Sequence, residues 1–220
     1  PGFVSYDWKK HQHYLIHTPG DSNYNGDLPY SLAAADGVVF VLDAVDGVKP
    51  LARRAWQQVQ DAGLPAVVFI TKMDRDRADF DTAFNGISET LGARPALLFA
   101  PIGSKEDFAG VVDVLENTAL TFGEDGKLTT GDVPADMADD IAAQREALIE
   151  NIAESDETLM EKYLEEGELS ADEIRQGLSA GVKSGELVPV VVGSGLENKG
   201  AALLLDTVQA LLPNPLEHAP

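Results

Sequence analysis

The sequence contains no cysteine. That excludes a disulfide framework and any thiolate metal site, and it is compatible with a reducing cytoplasm. Only four histidines are present, and none has the spacing of a zinc site. No apolar run is long enough to span a bilayer, and no charged-then-apolar leader is visible, so no membrane role is expected. Basic residues are scarce: 16 Lys and Arg stand against 37 Asp and Glu, a net charge of −21. Such a surface repels phosphate backbones, so little direct nucleic-acid binding is expected. Local basic contacts remain open, as does docking onto a basic or apolar protein patch. The sequence starts at Pro1 without an initiator methionine and reads as a piece or processed form of a longer protein.

What is there alternates. Short apolar runs at Tyr14-Leu15-Ile16, Val38 to Leu42, Ala66 to Ile70, Ala96 to Phe99 and Val188 to Val192 read as buried strands, each followed by Gly, Pro, Asp or another turn residue within a few positions. Helix-period segments lie between them at 51–61, 78–91 and 200–212, the last carrying a stripe of Leu203, Leu204, Val208, Leu211 and Leu212 stopped by Pro213. This order predicts an α/β fold, a doubly wound and mostly parallel sheet. Residues 1–100 and 185–220 are assigned to that core.

Residues 101–184 read as an inserted α+β subdomain. "GVVDVL" is followed by a charge-rich stretch and then helices. One helix is expected to start near Pro134 and bury Met137, Ile141, Leu148 and Ile152. A second carries Leu159, Met160, Tyr163 and Leu164. A third opens on Ser170-Ala171-Asp172-Glu173, where serine and glutamate can satisfy each other's backbone donors, and buries Ile174, Leu178 and Val182.

Chemistry gathers where strands end. Ala66 to Ile70 runs into Thr71-Lys72-Met73-Asp74. A carboxylate has two acceptor oxygens, and guanine presents two adjacent donors, so Asp74 could grip guanine and reject adenine. The stem of Lys72 could cover the base. In isolation a solvated strand-to-helix turn explains the pair equally well. "HTPGD", residues 17–21, brings Gly20 to a place where backbone could approach a phosphate closely, although in isolation a plain turn is the favoured reading of Thr18-Pro19-Gly20. Gly193-Ser194-Gly195 follows Val192 and could offer backbone N–H groups to a purine carbonyl; a Gly-rich turn is weak evidence alone. His11 and His13 read as an exposed strand face, Trp8 and Trp56 as packing residues, and "DRDRAD" as a helix start.

Together these segments resemble a translational GTPase, most closely the G domain of elongation factor G and its paralogues. The resemblance is carried by "HTPGD", "TKMDR", "LGARP", "PIG", "GVVDVL", "KYLE", "GSGLENKGAALLLDTV" and "LLPNP". Asp74 and Ser194 lie 120 positions apart, where elongation factor G carries an inserted subdomain. The resemblance implies GTP or GDP and Mg2+ as ligands of the parent protein, with the ribosome and its stalk protein as partners. It implies that Asp74 reads the guanine donors and that Lys72 packs along the base. Ser194, Gly195 and Leu196 would border the guanine carbonyl, and Gly20 would donate its N–H to the γ-phosphate. His17, Thr18, Pro19 and Asp21 would complete the nucleotide-binding set, with Asp21 the candidate for placing the attacking water.

The pattern departs from the family in three places. Thr71 stands where asparagine is usual. His17 replaces the aspartate that supports magnesium through water, and Asp21 replaces the histidine beside the γ-phosphate. A further departure is larger: no Gly-x-x-x-x-Gly-Lys-Ser/Thr run occurs, and that loop normally holds the β- and γ-phosphates. Three readings follow. The parent protein hydrolyses GTP in a ribosome-linked step, while this chain alone does not. The chain acts instead as a binding module through its acidic insertion, or it is a proteolytic fragment.

Overall fold

A computed structural model describes residues 1–20, 26–123 and 127–217. Its centre is a four-stranded parallel sheet in the order β3 (Val38–Asp43), β4 (Ala66–Thr71), β10 (Val188–Val192), β5 (Pro95–Leu97). Every residue of β10, and every one of β4 but its last, is buried. Both faces of the central strands are therefore covered, which is why these runs are continuously apolar instead of alternating. The covering helices are α2 (Pro50–Asp61), α3 (Phe80–Glu89) and α7 (Ala201–Leu211). Trp56 of α2 packs edge-on against Phe40 of β3, ring centroids 5.1 Å apart. Asp79 caps α3 by accepting the Thr82 N–H at 2.9 Å, so only the last residue of "DRDRAD" belongs to the helix start, and the residues before it form turns. A short helix, α1 (Asp27–Leu32), precedes β3.

The run from Ala96 to Phe99 is not one strand. At Leu98 the chain leaves the parallel sheet and enters a second, antiparallel one: β6 (Phe99–Ile102), β7 (Gly110–Asp113), β8 (Thr118–Phe122), β9 (Leu128–Gly131). Leu98 serves both, giving its N–H to Val190 at 3.3 Å and accepting from Val114 at 3.0 Å. Three helices follow: α4 (Ala138–Ala153), α5 (Glu157–Glu166) and α6 (Ala171–Lys183). Helix α4 starts four residues after Pro134, whose carbonyl closes a turn onto Met137 instead. Its core face is Ile141, Leu148 and Ile152 as the spacing requires, and Met137 is only half-buried. Helix α6 opens with the reciprocal Ser170–Glu173 cap and buries Ile174, Leu178 and Val182. The second sheet and these helices form the inserted subdomain.

A second strand expectation fails. Tyr14-Leu15-Ile16 is not a buried strand of the parallel sheet. It lies in β2 (His11–His17), which among the described residues pairs only with β1 (Gly2–Trp8), in a two-stranded antiparallel ribbon. Tyr14 is 76% exposed and Leu15 44%. An apolar run signals burial only when a second layer packs against it, and at Tyr14 and Leu15 none of the described residues does so closely enough to bury them. Its tip is held on α7: the Trp8 indole N–H donates to Asp206 at 2.8 Å and Lys9 pairs with Asp206 at 2.7 Å.

Candidate functional site

Strands β3, β4 and β10 are neighbours and parallel, so their carboxyl ends lie side by side, the place where open α/β sheets gather ligands. Three segments meet there: Asp43, then Thr71 to Arg75, then Gly193 to Lys199. Asp43 and Thr71 are register partners, as are Ile70 and Val192.

Regular strand geometry stops at Thr71. Lys72 has φ +66°, a left-handed conformation unusual for a side-chain-bearing residue. The kink separates three consecutive side chains. Met73 is fully buried in the core. The side chain of Lys72 is half-exposed and its ammonium pairs with Asp43. The side chain of Asp74 is 9% exposed. Lysine and aspartate therefore differ in environment more than an extended strand would make them.

The Asp74 carboxylate is incompletely satisfied. One oxygen lies 3.4 Å from Arg75 Nε, and the other is buried with no hydrogen-bond partner among the described residues. Buried carboxylate oxygens are costly to leave unmatched. The terminal torsion of aspartate is broad and two-fold, so its two oxygens can exchange places by rotation, although Asp74 does not itself line the cleft beside Asp43 and Lys72.

Asp43 was not singled out by the sequence reading. Burial works against its ionisation, but the Lys72 ammonium and the N–H groups of Val45 and Asp46 outweigh burial and hold its carboxyl below the usual range. Its signal is the acidic residue that ends "VVFVLD", one strand over from Thr71. A cleft of about 380 Å³ opens beside this pair, lined in part by Asp43, Lys72 and Arg75.

The Thr71 hydroxyl accepts the Gly195 N–H at 3.3 Å. The Met73 N–H donates to the Gly193 carbonyl at 3.2 Å. Ser194 is buried, exchanges backbone hydrogen bonds with Lys199 at 2.9 and 3.0 Å, and accepts the Glu197 N–H on its hydroxyl at 3.2 Å. Gly195 and Leu196 are exposed, Leu196 at 75%. Thr71, Asp74, Ser194, Gly195 and Leu196 are thus brought together on adjoining loops.

His17 ends β2 of the ribbon, and Thr18, Pro19 and Gly20 follow it there, not at the parallel sheet. His17 and Gly20 are exposed, and no side-chain bond joins them to the Thr71–Ser194 cluster among the described residues. Asp21 lies outside the described residues. A cleft of about 550 Å³ lies elsewhere, between the start of α3, β6 and α4.

The sequence model of the elongation factor Tu GTP binding domain matches residues 2–214. The crystal structure of a protein from Thermus thermophilus superposes on the chain with a TM-score of 0.90 at 29% identity, over 98% of this chain and 32% of that one. The chain thus spans about a third of that protein's length. With strand-end loops in the same order as its sequence motifs, and a family match over nearly its whole length, the chain belongs to the elongation factor Tu GTP-binding domain family, the G domains of translational GTPases.

Proposed function

We propose that this chain is the guanine-reading part of an elongation factor G-like GTPase, whose GTP hydrolysis is coupled to the ribosome. The observation that carries the reading is the Asp74 side chain, nine-tenths buried and with one oxygen lacking a partner at the meeting point of three strand ends. Guanine offers two adjacent donors to such a carboxylate; adenine would set an acceptor against it. Lys72 lies beside it to cover the base; in the adjoining loop the Gly193, Ser194 and Gly195 N–H groups are given to Ile70, Lys199 and Thr71, and the 3.3 Å bond from Gly195 is the one a base carbonyl would have to replace.

The phosphates are proposed to be held by residues outside this sequence, since no Gly-x-x-x-x-Gly-Lys-Ser/Thr loop occurs here. Magnesium would be held there too. Among the described residues no group of three or more histidine and acidic side chains converges on one point, so no step through the metal is derived. The test is direct. In the full-length protein GDP should bind far more tightly than ADP; equal affinities would overturn the reading. Fluorescent GDP titrated into the 220-residue chain alone should bind weakly, with no detectable GTP hydrolysis.

A second reading is favoured by α5. It buries no residue fully, and Leu164 is 72% exposed among Glu161, Glu165 and Glu166. An acidic helix with an exposed apolar residue suits docking by the inserted subdomain, with the ribosomal stalk protein the partner proposed. Titrating stalk protein against the labelled chain should shift the α5 resonances; no shift would remove this reading.

A further inference from the structure

The turn that joins β6 to β7 touches both loops of the proposed base site. Gly103 has φ +73°, and an added Cβ there would lie 2.0 Å from the Asp107 carbonyl oxygen, so the turn is tight enough to need glycine. Lys105 also takes a left-handed conformation, φ +60°, and opens a short 3-10 turn over Lys105–Asp107. That geometry aims its N–H out of the turn, where it donates to the Met73 carbonyl at 2.8 Å. Met73 is the residue between Lys72 and Asp74.

The other end of the turn reaches the second loop. Lys199 Nζ donates to the Phe108 carbonyl at 2.8 Å, lies 5.8 Å from the centre of the Phe108 ring, and pairs with Glu197 at 2.7 Å. Phe108 is 1% exposed and packs on Phe122 of β8, centroids 5.6 Å apart. The backbone of Lys199 is meanwhile bonded both ways to Ser194. Gly193 and Gly200 make that closeness possible: an added Cβ on Gly193 would lie 2.3 Å from the Lys199 carbonyl oxygen, and on Gly200 2.5 Å from that of Val192.

We propose that the Gly103–Phe108 turn is a strut through which the inserted subdomain holds the two base-reading loops in register, with Lys199 the positioning residue that latches it. A turn anchored by Phe108 in the second sheet, and bonded to Met73 on one side and to Lys199 on the other, fixes the separation of the Asp74 and Ser194 loops. A shift of the inserted sheet then moves both loops together, so a partner that displaces the insertion changes how firmly guanine is held. The inference rests on the guanine reading above and adds regulation of the same site.

The test replaces Lys199 in the full-length protein. K199M keeps an apolar stem over Phe108 and removes the donated hydrogen bond; K199R keeps a cation that can donate. A hydrogen bond from a charged donor, here about a quarter exposed, corresponds to roughly a tenfold effect. K199M should release GDP about tenfold faster and speed amide hydrogen exchange at Met73, Lys105 and Ser194, with the amides of α6 unchanged. K199R should restore both. If K199M leaves release and exchange as they were, the strut is refuted. If it loosens α6 as much as the loops, Lys199 is merely structural and the proposal also falls. Should the unaltered protein bind no guanine nucleotide, the functional reading is what fails; the exchange comparison then still decides whether Lys199 latches the two loops.

Discussion

The Thr71 hydroxyl, at the end of β4, accepts the backbone N–H of Gly195, 124 positions further along the chain, at 3.3 Å. This bond and the Met73–Gly193 backbone bond close the two loops into one wall. Removing the acceptor without changing side-chain volume isolates its contribution. Thr71→Val should cost about 0.5–1 kcal/mol of stability, the net value of one partly exposed hydrogen bond. Thr71→Ser, which keeps the hydroxyl, should cost less. Urea denaturation of both variants provides the comparison.

Asp74→Asn tests the donor pattern. An amide presents one acceptor and one donor where the carboxylate presents two acceptors. The full-length variant should lose affinity for GDP and gain it for xanthosine diphosphate, whose exocyclic carbonyl replaces the guanine amine. Competition between the two nucleotides gives the answer; unchanged preference would show that Asp74 does not read the base.

Gly193 is confined by backbone on one side and a ring on the other. A Cβ there meets the Lys199 carbonyl oxygen at 2.3 Å and the Phe69 ring at 2.9 Å. A carbonyl in a bonded pair cannot step aside as a flexible side chain can. Gly193→Ala should therefore destabilise by about 1–3 kcal/mol, toward the upper end. Thermal unfolding measures it, and a neutral result would mean that the Ser194–Lys199 turn is looser than described.

Acid should loosen the junction of α5 and α6. Hydrogen bonds from Lys162, and from the side chain and backbone of Ser170, hold the Glu173 carboxyl at about 2. A carboxyl whose folded value lies below its unfolded one stabilises the fold fully above the unfolded value. That contribution fades as pH falls through the folded value. The window here runs from about 4.5 down to about 2. Both partners are about a third exposed, so salt should shrink the effect. Side-chain carbon shifts of Glu173 followed through this range should titrate late, and in Lys162→Met they should titrate closer to an ordinary glutamate.

Much of this protein could be read without its structure. The continuous apolar runs of β4 and β10 mark strands covered on both faces, because only such strands have no wet side to show as alternation. The reciprocal cap at Ser170 and Glu173, the Asp79 start of α3 and the leucine stripe of α7 follow from bonding within a few residues. The order of the strand-end motifs pointed to the family. Tertiary structure alone decided the rest. It left Tyr14 and Leu15 exposed on a two-stranded ribbon, made Leu98 the hinge between two sheets, and paired Lys72 with Asp43. It also joined Lys105 to Met73 and Lys199 to Phe108. The reason is physical: local sequence records which side of an element is dry and which side chains can cap it. Backbone N–H and carbonyl groups, by contrast, are alike in almost every residue. Which of them meet across a hundred positions is set by how the layers pack, and no residue type announces it.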